Sequence, residues 1–239
     1  MKKAYLVTGA SSDIGMSLVR KLAEREKESV FFCHYRRDNE KFSALRTDFL
    51  SIRPIQADFA NSQEILRLID NIKETGVSPT HIVHLPAERI EYVRLKDIEK
   101  HSAQREMEIG VYSLLEIFKA FLPQMAKNRY GKIAVMLTTC TRGAPPKFLT
   151  GYCMAKYALL GLMKSAAAEY EGKGVYINGI SPEMTDTKFL SNLDSRIIET
   201  SLRNSRFGRN LTVDEVVNGI LFLISDDINC MNGENLFLG

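Results

Sequence analysis

Short apolar runs recur along the chain, separated by longer amphipathic stretches. The runs are AYLVT from Ala4, VFFCHY from Val30, SIRPIQA from Ser51, HIVHL from His81, KIAVML from Lys132, VYINGIS from Val175 and NLFLG from Asn235. Most are continuously hydrophobic rather than alternating, the pattern of strands buried on both faces. SIRPIQA is the weakest of them. Between the runs, Ile14, Leu18, Val19 and Leu22 recur at helical spacing, as do Ile65, Leu66, Leu68, Ile69 and Ile72. Leu114, Leu115, Ile117, Phe118, Phe121 and Leu122 form a wide stripe predicted to end near Pro123. Another long helix follows Tyr152 and carries Leu159, Leu160, Leu162 and Met163. Thr212 reads as an N-cap, with Glu215 completing a capping box. Strand and helix alternating in this way predict an α/β fold: a doubly wound parallel sheet of about seven strands, in three α/β/α layers. No linker, repeat or low-complexity stretch divides the chain, so residues 1–239 read as a single domain.

Composition narrows the function classes. The 239 residues are 45% hydrophobic and 26% charged, with 32 basic and 29 acidic side chains and a net charge of +3. That balance, without a basic cluster, argues against nucleic acid as a partner. The apolar runs are far below the ~20 residues that cross a bilayer, which argues against a membrane role. The stretch behind Met1-Lys2-Lys3 is too short for a signal-peptide core, so no targeting segment is expected. Cys33, Cys140, Cys153 and Cys230 lack CxxC spacing, which fits a reducing, cytoplasmic setting. The four histidines have no ligand spacing with those cysteines, so no metal is expected.

The first run leads directly into TGASSDIG, Thr8 to Gly15, which opens the first helix. Gly9 permits a tight turn out of the strand, and Gly15 lets the helix pack close to the sheet. The helix N-terminus then offers amides and a positive dipole end to a pyrophosphate. From Ser29 through Arg37 there is no acid to accept from ribose hydroxyls. Arg36 and Arg37 instead suit a 2′-phosphate, since a guanidinium pairs with phosphate in a fork. NADP(H) is the expected cofactor. Tyr152-Cys153-Met154-Ala155-Lys156 is a YxxxK motif, and helical spacing stacks its ends on one face. A cation beside the phenol favours the phenolate, so Tyr152 is expected to exchange a proton near neutral pH. A second YxxxK, Tyr92 to Lys96, lies in a polar stretch with no hydroxyl-bearing strand end before it.

These motifs resemble those of the short-chain dehydrogenase/reductase family, over essentially the whole chain. The glycine loop is similar to its TGxxxGxG signature, with Asp13 in place of the middle glycine, where it can also cap the helix. VYINGISPEMTDT is similar to VNxxxPGxxxT, matched at Pro182 and Thr187. The resemblance implies a Rossmann-type fold. It implies a cofactor-binding set of Gly9, Ser11, Ser12, Asp13, Ile14 and Gly15 in the loop, Arg36 and Arg37, and Asp58 and Phe59. Leu85, Pro86 and Ala87 after the fourth strand, then Pro182, Thr185 and Thr187, complete that set. It also implies catalysis by Tyr152, Lys156 and a hydroxyl at the end of the fifth strand. Counting forward from Gly131 picks Thr138, and counting back from Tyr152 picks Thr139. A hydride would attack a carbonyl carbon while Tyr152 gives its proton to the oxygen, with Lys156 holding the ribose and lowering the tyrosine pKa.

Several signature positions differ. The family's NNAG reads His84-Leu85-Pro86-Ala87. The asparagine that supports its proton relay aligns with Gly110, for which Tyr112, Glu106 or Glu108 are candidate substitutes. PG becomes Pro182-Glu183. The whole chain looks most like 3-oxoacyl-(acyl-carrier-protein) reductases, and Arg129 and Lys173 fall where those dock an acidic carrier. The implied function is therefore NADPH-dependent reduction of a ketone, foremost a 3-oxoacyl thioester on an acyl carrier protein. Reduction of a sugar, steroid or other small ketone is one alternative. A weakly active or inactive subunit acting as a binding partner or scaffold is the other. Selectivity is expected from the loop after Thr139 and from residues 183–209, which mix Phe189, Leu190 and Leu193 with Lys188, Arg196 and Arg203. A homodimer or homotetramer built on the helices after Gly110 and Gly151 is also expected.

Overall fold

The computed structural model describes residues 2–191 and 195–239. All seven apolar runs become strands: β1 (Ala4–Thr8), β2 (Val30–Tyr35), β3 (Ile52–Gln56), β4 (His81–His84), β5 (Gly131–Met136), β6 (Val175–Pro182) and β7 (Asn235–Leu238). They pair in parallel throughout, in the order β3-β2-β1-β4-β5-β6-β7. This is a Rossmann-like sheet whose winding reverses between β1 and β4, and the crevice at such a reversal is where ligands enter open α/β sheets.

Among the described residues, eight α-helices connect the strands: α1 (Asp13–Arg25), α2 (Glu40–Asp48), α3 (Ser62–Glu74), α4 (Lys100–Met107), α5 (Ser113–Lys127), α6 (Thr150–Glu169), α7 (Ser195–Asn204) and α8 (Val213–Leu223). Each predicted apolar stripe packs onto the sheet. Ile65, Leu68, Ile69 and Ile72 of α3 join Leu114, Ile117, Phe118 and Phe121 of α5 and Leu159 and Met163 of α6 in one core. The other face is covered by Leu18, Val19 and Leu22 of α1, Phe42 and Leu45 of α2, and Val216, Val217 and Ile220 of α8. Burying each such side chain contributes about 1.5–3 kcal/mol. The capping box forms: Thr212 Oγ1 accepts from Glu215 N at 3.2 Å, and Glu215 accepts from Thr212 N at 2.8 Å.

Helix α5 does not stop at Pro123. It runs to Lys127, because Met125 continues the buried face beyond the proline. Between α4 and α5 the chain makes a π-helical turn, Glu108–Tyr112, with Gly110 at its centre. Among the described residues no helix is long and apolar enough to cross a membrane, and no cluster of three or more His, Cys, Asp or Glu is placed to hold a metal.

Candidate active site

The C-terminal ends of the strands open onto one cleft of about 640 Å³. Every position predicted for cofactor or catalysis lines it except Gly15. Gly9 takes φ +74°, the left-handed turn expected of it, and a Cβ there would stand 3.3 Å from the Leu85 Cβ. Gly15 is needed for a different reason from the one predicted. A Cβ on it would meet Gly9 O at 2.5 Å and Ala10 Cα at 2.7 Å, so it lets the loop, rather than the sheet, close against the helix. Asp13 is not the cap. Ser12 holds that place, its Oγ accepting from Gly15 N at 3.1 Å and donating to Gly9 O at 2.8 Å. The Asp13 carboxylate is instead drawn to Lys188 N at 2.8 Å, where a free backbone donor ties the loop to the segment after β6.

Two histidines that sequence reasoning passed over hold this end of the sheet. His34 accepts from Gly9 N at 3.1 Å through Nδ1 and donates from Nε2 to Ala57 O at 3.0 Å. Its ring stacks on Phe59, centroids 3.8 Å apart, and Phe59 stacks on His84 at 6.4 Å. His84 meets the Thr8 hydroxyl at 2.9 Å through Nδ1 and donates from Nε2 to the Gly110 carbonyl at 3.0 Å. The imidazole at the first position of HLPA thus secures the π-helical turn where the asparagine is missing. Burial holds His34 down at about 4 and His84 at about 3, so both rings are neutral.

Tyr152 lies in the first turn of α6 and points inward. The Thr138 side chain acts on its phenol, lowering the pKa against burial, whereas the Thr139 hydroxyl donates to the Pro182 carbonyl at 3.5 Å. The sequence left the two threonines open, and it is Thr138 that faces the phenol. Lys156 is buried, its ammonium donating to Met136 O at 2.8 Å and standing 5.7 Å over the Tyr152 ring. Burial lowers Lys156 to about 8, opposed by the Glu106 charge. Tyr152 departs from the expectation of a lowered pKa: burial raises it, opposed only by the Thr138 hydrogen bond. The ammonium bonds a carbonyl, and its charge is not among the groups that shift the phenol. Of the three relay candidates, Glu106 is the one coupled by charge to Lys156, and burial raises it to about 7. Tyr112 is 46% exposed.

The second YxxxK fails on backbone grounds. Tyr92 to Asp97 is loop and a 3-10 turn rather than α-helix, and Lys96 pairs with Asp97 at 3.5 Å. Tyr92 itself nevertheless lines the cleft.

Arg36 is already paired. Its guanidinium forks onto Glu88 at 3.2 and 3.5 Å, and Arg105 reaches the same carboxylate at 2.8 Å. Both arginines lower the Glu88 pKa against the opposing effect of burial. Glu88 follows HLPA directly, yet nothing in the sequence connects it with Arg36. Asp38, one residue past the acid-free window, is held by Arg46 at 2.6 Å and by the Ser43 hydroxyl at 3.2 Å. On the substrate side Lys188, Phe189 and Leu190 line the cleft, Arg196 and Arg203 do not, and Leu193 lies outside the described residues. Arg129 and Lys173 are exposed at the opposite end of the sheet, where Arg129 donates to Gly172 O at 3.2 Å. The length of β5, about 20 Å at ~3.3 Å per residue, separates them from Thr138.

Comparison with known proteins agrees with this geometry. A family model described as enoyl-(acyl carrier protein) reductase matches residues 9–238. The chain is 27% identical over 240 residues to dehydrogenase/reductase SDR family member 4 of Mus musculus, covering 99% of this chain and 86% of that one. Among solved structures it superposes on a 3-oxoacyl (acyl-carrier-protein) reductase from Agrobacterium tumefaciens C58 with NADP bound, with a TM-score of 0.87, 21% identity and coverage of 99% and 92%. It superposes as well on a 4-hydroxyisoleucine dehydrogenase complexed with NADH, with a TM-score of 0.88, 20% identity and coverage of 99% and 97%. The chain belongs to the short-chain dehydrogenase/reductase family of oxidoreductases.

Proposed function

We propose that this oxidoreductase uses NADPH to reduce a ketone to a secondary alcohol, foremost a 3-oxoacyl thioester carried on an acyl carrier protein. The observation that carries the reading is the Tyr152–Thr138–Lys156 cluster on the wall of the same cleft as the glycine loop. A dinucleotide fits the residues present. The cleft falls in the usual range for ligand sites, about 300–1,000 Å³, and Gly9 leaves a backbone cradle that a Cβ would crowd. Arg36 and Arg37 stand at one end and Lys156 at the other.

The loop from Gly9 to Gly15 would seat the pyrophosphate, with Arg36 and Arg37 at a 2′-phosphate. Asp58, Phe59 and Leu85 to Ala87 would flank the adenosine, and Pro182, Thr185 and Thr187 would cover the nicotinamide end. When bound, the nicotinamide supplies the hydride. Thr138 orients the substrate carbonyl through its hydroxyl, and Tyr152 O–H donates its proton to the carbonyl oxygen. The raised pKa of Tyr152 keeps that proton in place until charge develops on the substrate. Lys156 and the half-buried Glu106 lead from the phenol towards solvent and can return the proton. The chain acts as one domain, with residues 183–209 and the loop after Thr139 shaping the substrate side. Exposed Leu115, Met154 and Tyr157 on α5 and α6 suit a homo-oligomer built on those helices.

Purified protein should consume NADPH when given acetoacetyl thioester, and Tyr152→Phe should lose about a hundredfold or more of that rate. Full activity in Tyr152→Phe would overturn the assignment of the donor. The Arg36–Glu88 pair favours a second reading, a scaffold subunit whose phosphate seat is closed. That reading requires no binding of either nicotinamide cofactor.

A further inference from the structure

We propose that Arg105 determines selectivity for the phosphorylated dinucleotide by holding the Glu88 carboxylate, so that Arg36 can pass to a 2′-phosphate; this rests on the NADPH reading above. Four side chains from four segments meet beside the cleft. Arg36 follows β2, Asp58 follows β3, Glu88 follows β4, and Arg105 lies in the last turn of α4. Glu88 Oε2 accepts from Arg36 Nη1 at 3.2 Å and from Arg105 Nε at 2.8 Å, while Oε1 accepts from Arg36 Nη2 at 3.5 Å. Arg105 Nη2 stands 3.6 Å from Asp58 Oδ2. Arg36 and Asp58 line the cleft, whereas Glu88 and Arg105 do not. Arg105 therefore acts on a bound dinucleotide through Glu88 or Asp58, which makes it a positioning residue.

A 2′-phosphate carries about −1.5 to −2 charges at neutral pH, and it must take Arg36 from a carboxylate that already holds it. Glu88 is the most sheltered of the four side chains, at 25% exposure. Stripped of both arginines, it would stand as an unpaired, partly buried anion beside the incoming phosphate, and leaving a sheltered charge without its partner is costly. Arg105 removes that cost. Its bond to Glu88 is the shortest of the three and comes from a helix, so it stays in place when Arg36 turns outward. Glu88 remains neutralised, and Arg36 has its guanidinium free to fork onto the phosphate. NADH brings no phosphate, leaves Arg36 on Glu88 and makes no demand on Arg105 by this route. The contact with Asp58 serves both dinucleotides alike, because both carry the same adenine.

Calorimetric titration of the full-length protein with NADPH and with NADH tests the exchange without any need for turnover. Arg105→Met should weaken NADPH about five- to tenfold while NADH moves less than about twofold. Arg105→Lys, which keeps a cation on Glu88, should restore most of the loss. Adding Arg105→Met to Glu88→Gln should move NADPH less than about twofold, because no carboxylate is left to neutralise. Equal weakening of NADPH and NADH in Arg105→Met would make Arg105 a support for the fold or the adenine, and would overturn the proposal. A loss of NADPH affinity that persists in the Glu88→Gln background would overturn it too, since it marks direct contact with the phosphate. If the parent protein shows no preference for NADPH, the cofactor reading fails and the proposal with it. If the parent prefers NADPH and Arg105→Met leaves that preference unchanged, the proposal alone fails.

Discussion

Lowering the pH from about 7.5 to about 5 charges histidines that the folded chain keeps neutral, and stability should fall accordingly. His34, His81 and His84 are buried, and burial is the largest cause of their lowered values, about 4, 3 and 3 against an ordinary 6.5. Their folded pKa values lie below the unfolded one, so the unfolded chain takes up protons first. Stability is therefore lost as pH falls through the unfolded value, and the loss continues down to the folded values. Each buried imidazole costs about 1.4 kcal/mol per pH unit in that window, so the three together cost about 6 kcal/mol by about pH 5. Glu106 acts in the opposite sense. Burial raises its folded value to about 7 from 4.5, so acid favours the folded state there and returns about 2 kcal/mol over the same interval. The net loss is about 3–4 kcal/mol, a large share of the ~5–15 kcal/mol typical of folded proteins. Urea unfolding followed by circular dichroism at several pH values measures it. Glu106→Gln should remove the offset and steepen the loss by about 2 kcal/mol. A wild-type stability flat between those two pH values would refute the picture of neutral, buried imidazoles.

Three further outcomes test the site. Thr138→Val should lower kcat by about 10²-fold through loss of the hydroxyl facing Tyr152, whereas Thr139→Val should change it less than about threefold; steady-state kinetics with the reverse order would exchange their roles. Glu88→Ala releases Arg36 and should tighten NADPH about tenfold, or 1.4 kcal/mol, with little effect on NADH. Equal affinities before and after would show that Arg36 is not the phosphate seat. Gly110→Asn should fold as well as the parent, because nothing beyond its chain neighbours and the turn's own backbone lies within 4 Å of a Cβ built there and asparagine is a few tenths of a kcal/mol better than glycine in a helix. A clear drop in Tm would mean that the π-helical turn requires glycine.

The strands were legible because β1, β4 and β5 are buried at every residue and so read as unbroken apolar runs. Weak patterns hid α2, which buries only Phe42 and Leu45, and α4, which buries nothing. Motif spacing located Tyr152, Lys156 and the glycine loop, but spacing carries no orientation. Thr138 ends the extended stretch and Thr139 opens a 3-10 turn, so only the fold tells which hydroxyl meets the phenol. Contacts between distant segments left no sequence trace at all. Glu88 meets Arg36 across 52 positions. His34 and His84 read as ordinary core residues until the fold showed what their nitrogens hold.

The central claim is that this cleft seats a phosphorylated nicotinamide dinucleotide. Parallel calorimetric titrations with NADPH and NADH address it most directly. The account predicts one site per chain, with NADPH bound at least about tenfold more tightly than NADH. NADH bound as tightly as NADPH, or no heat from either, would contradict it.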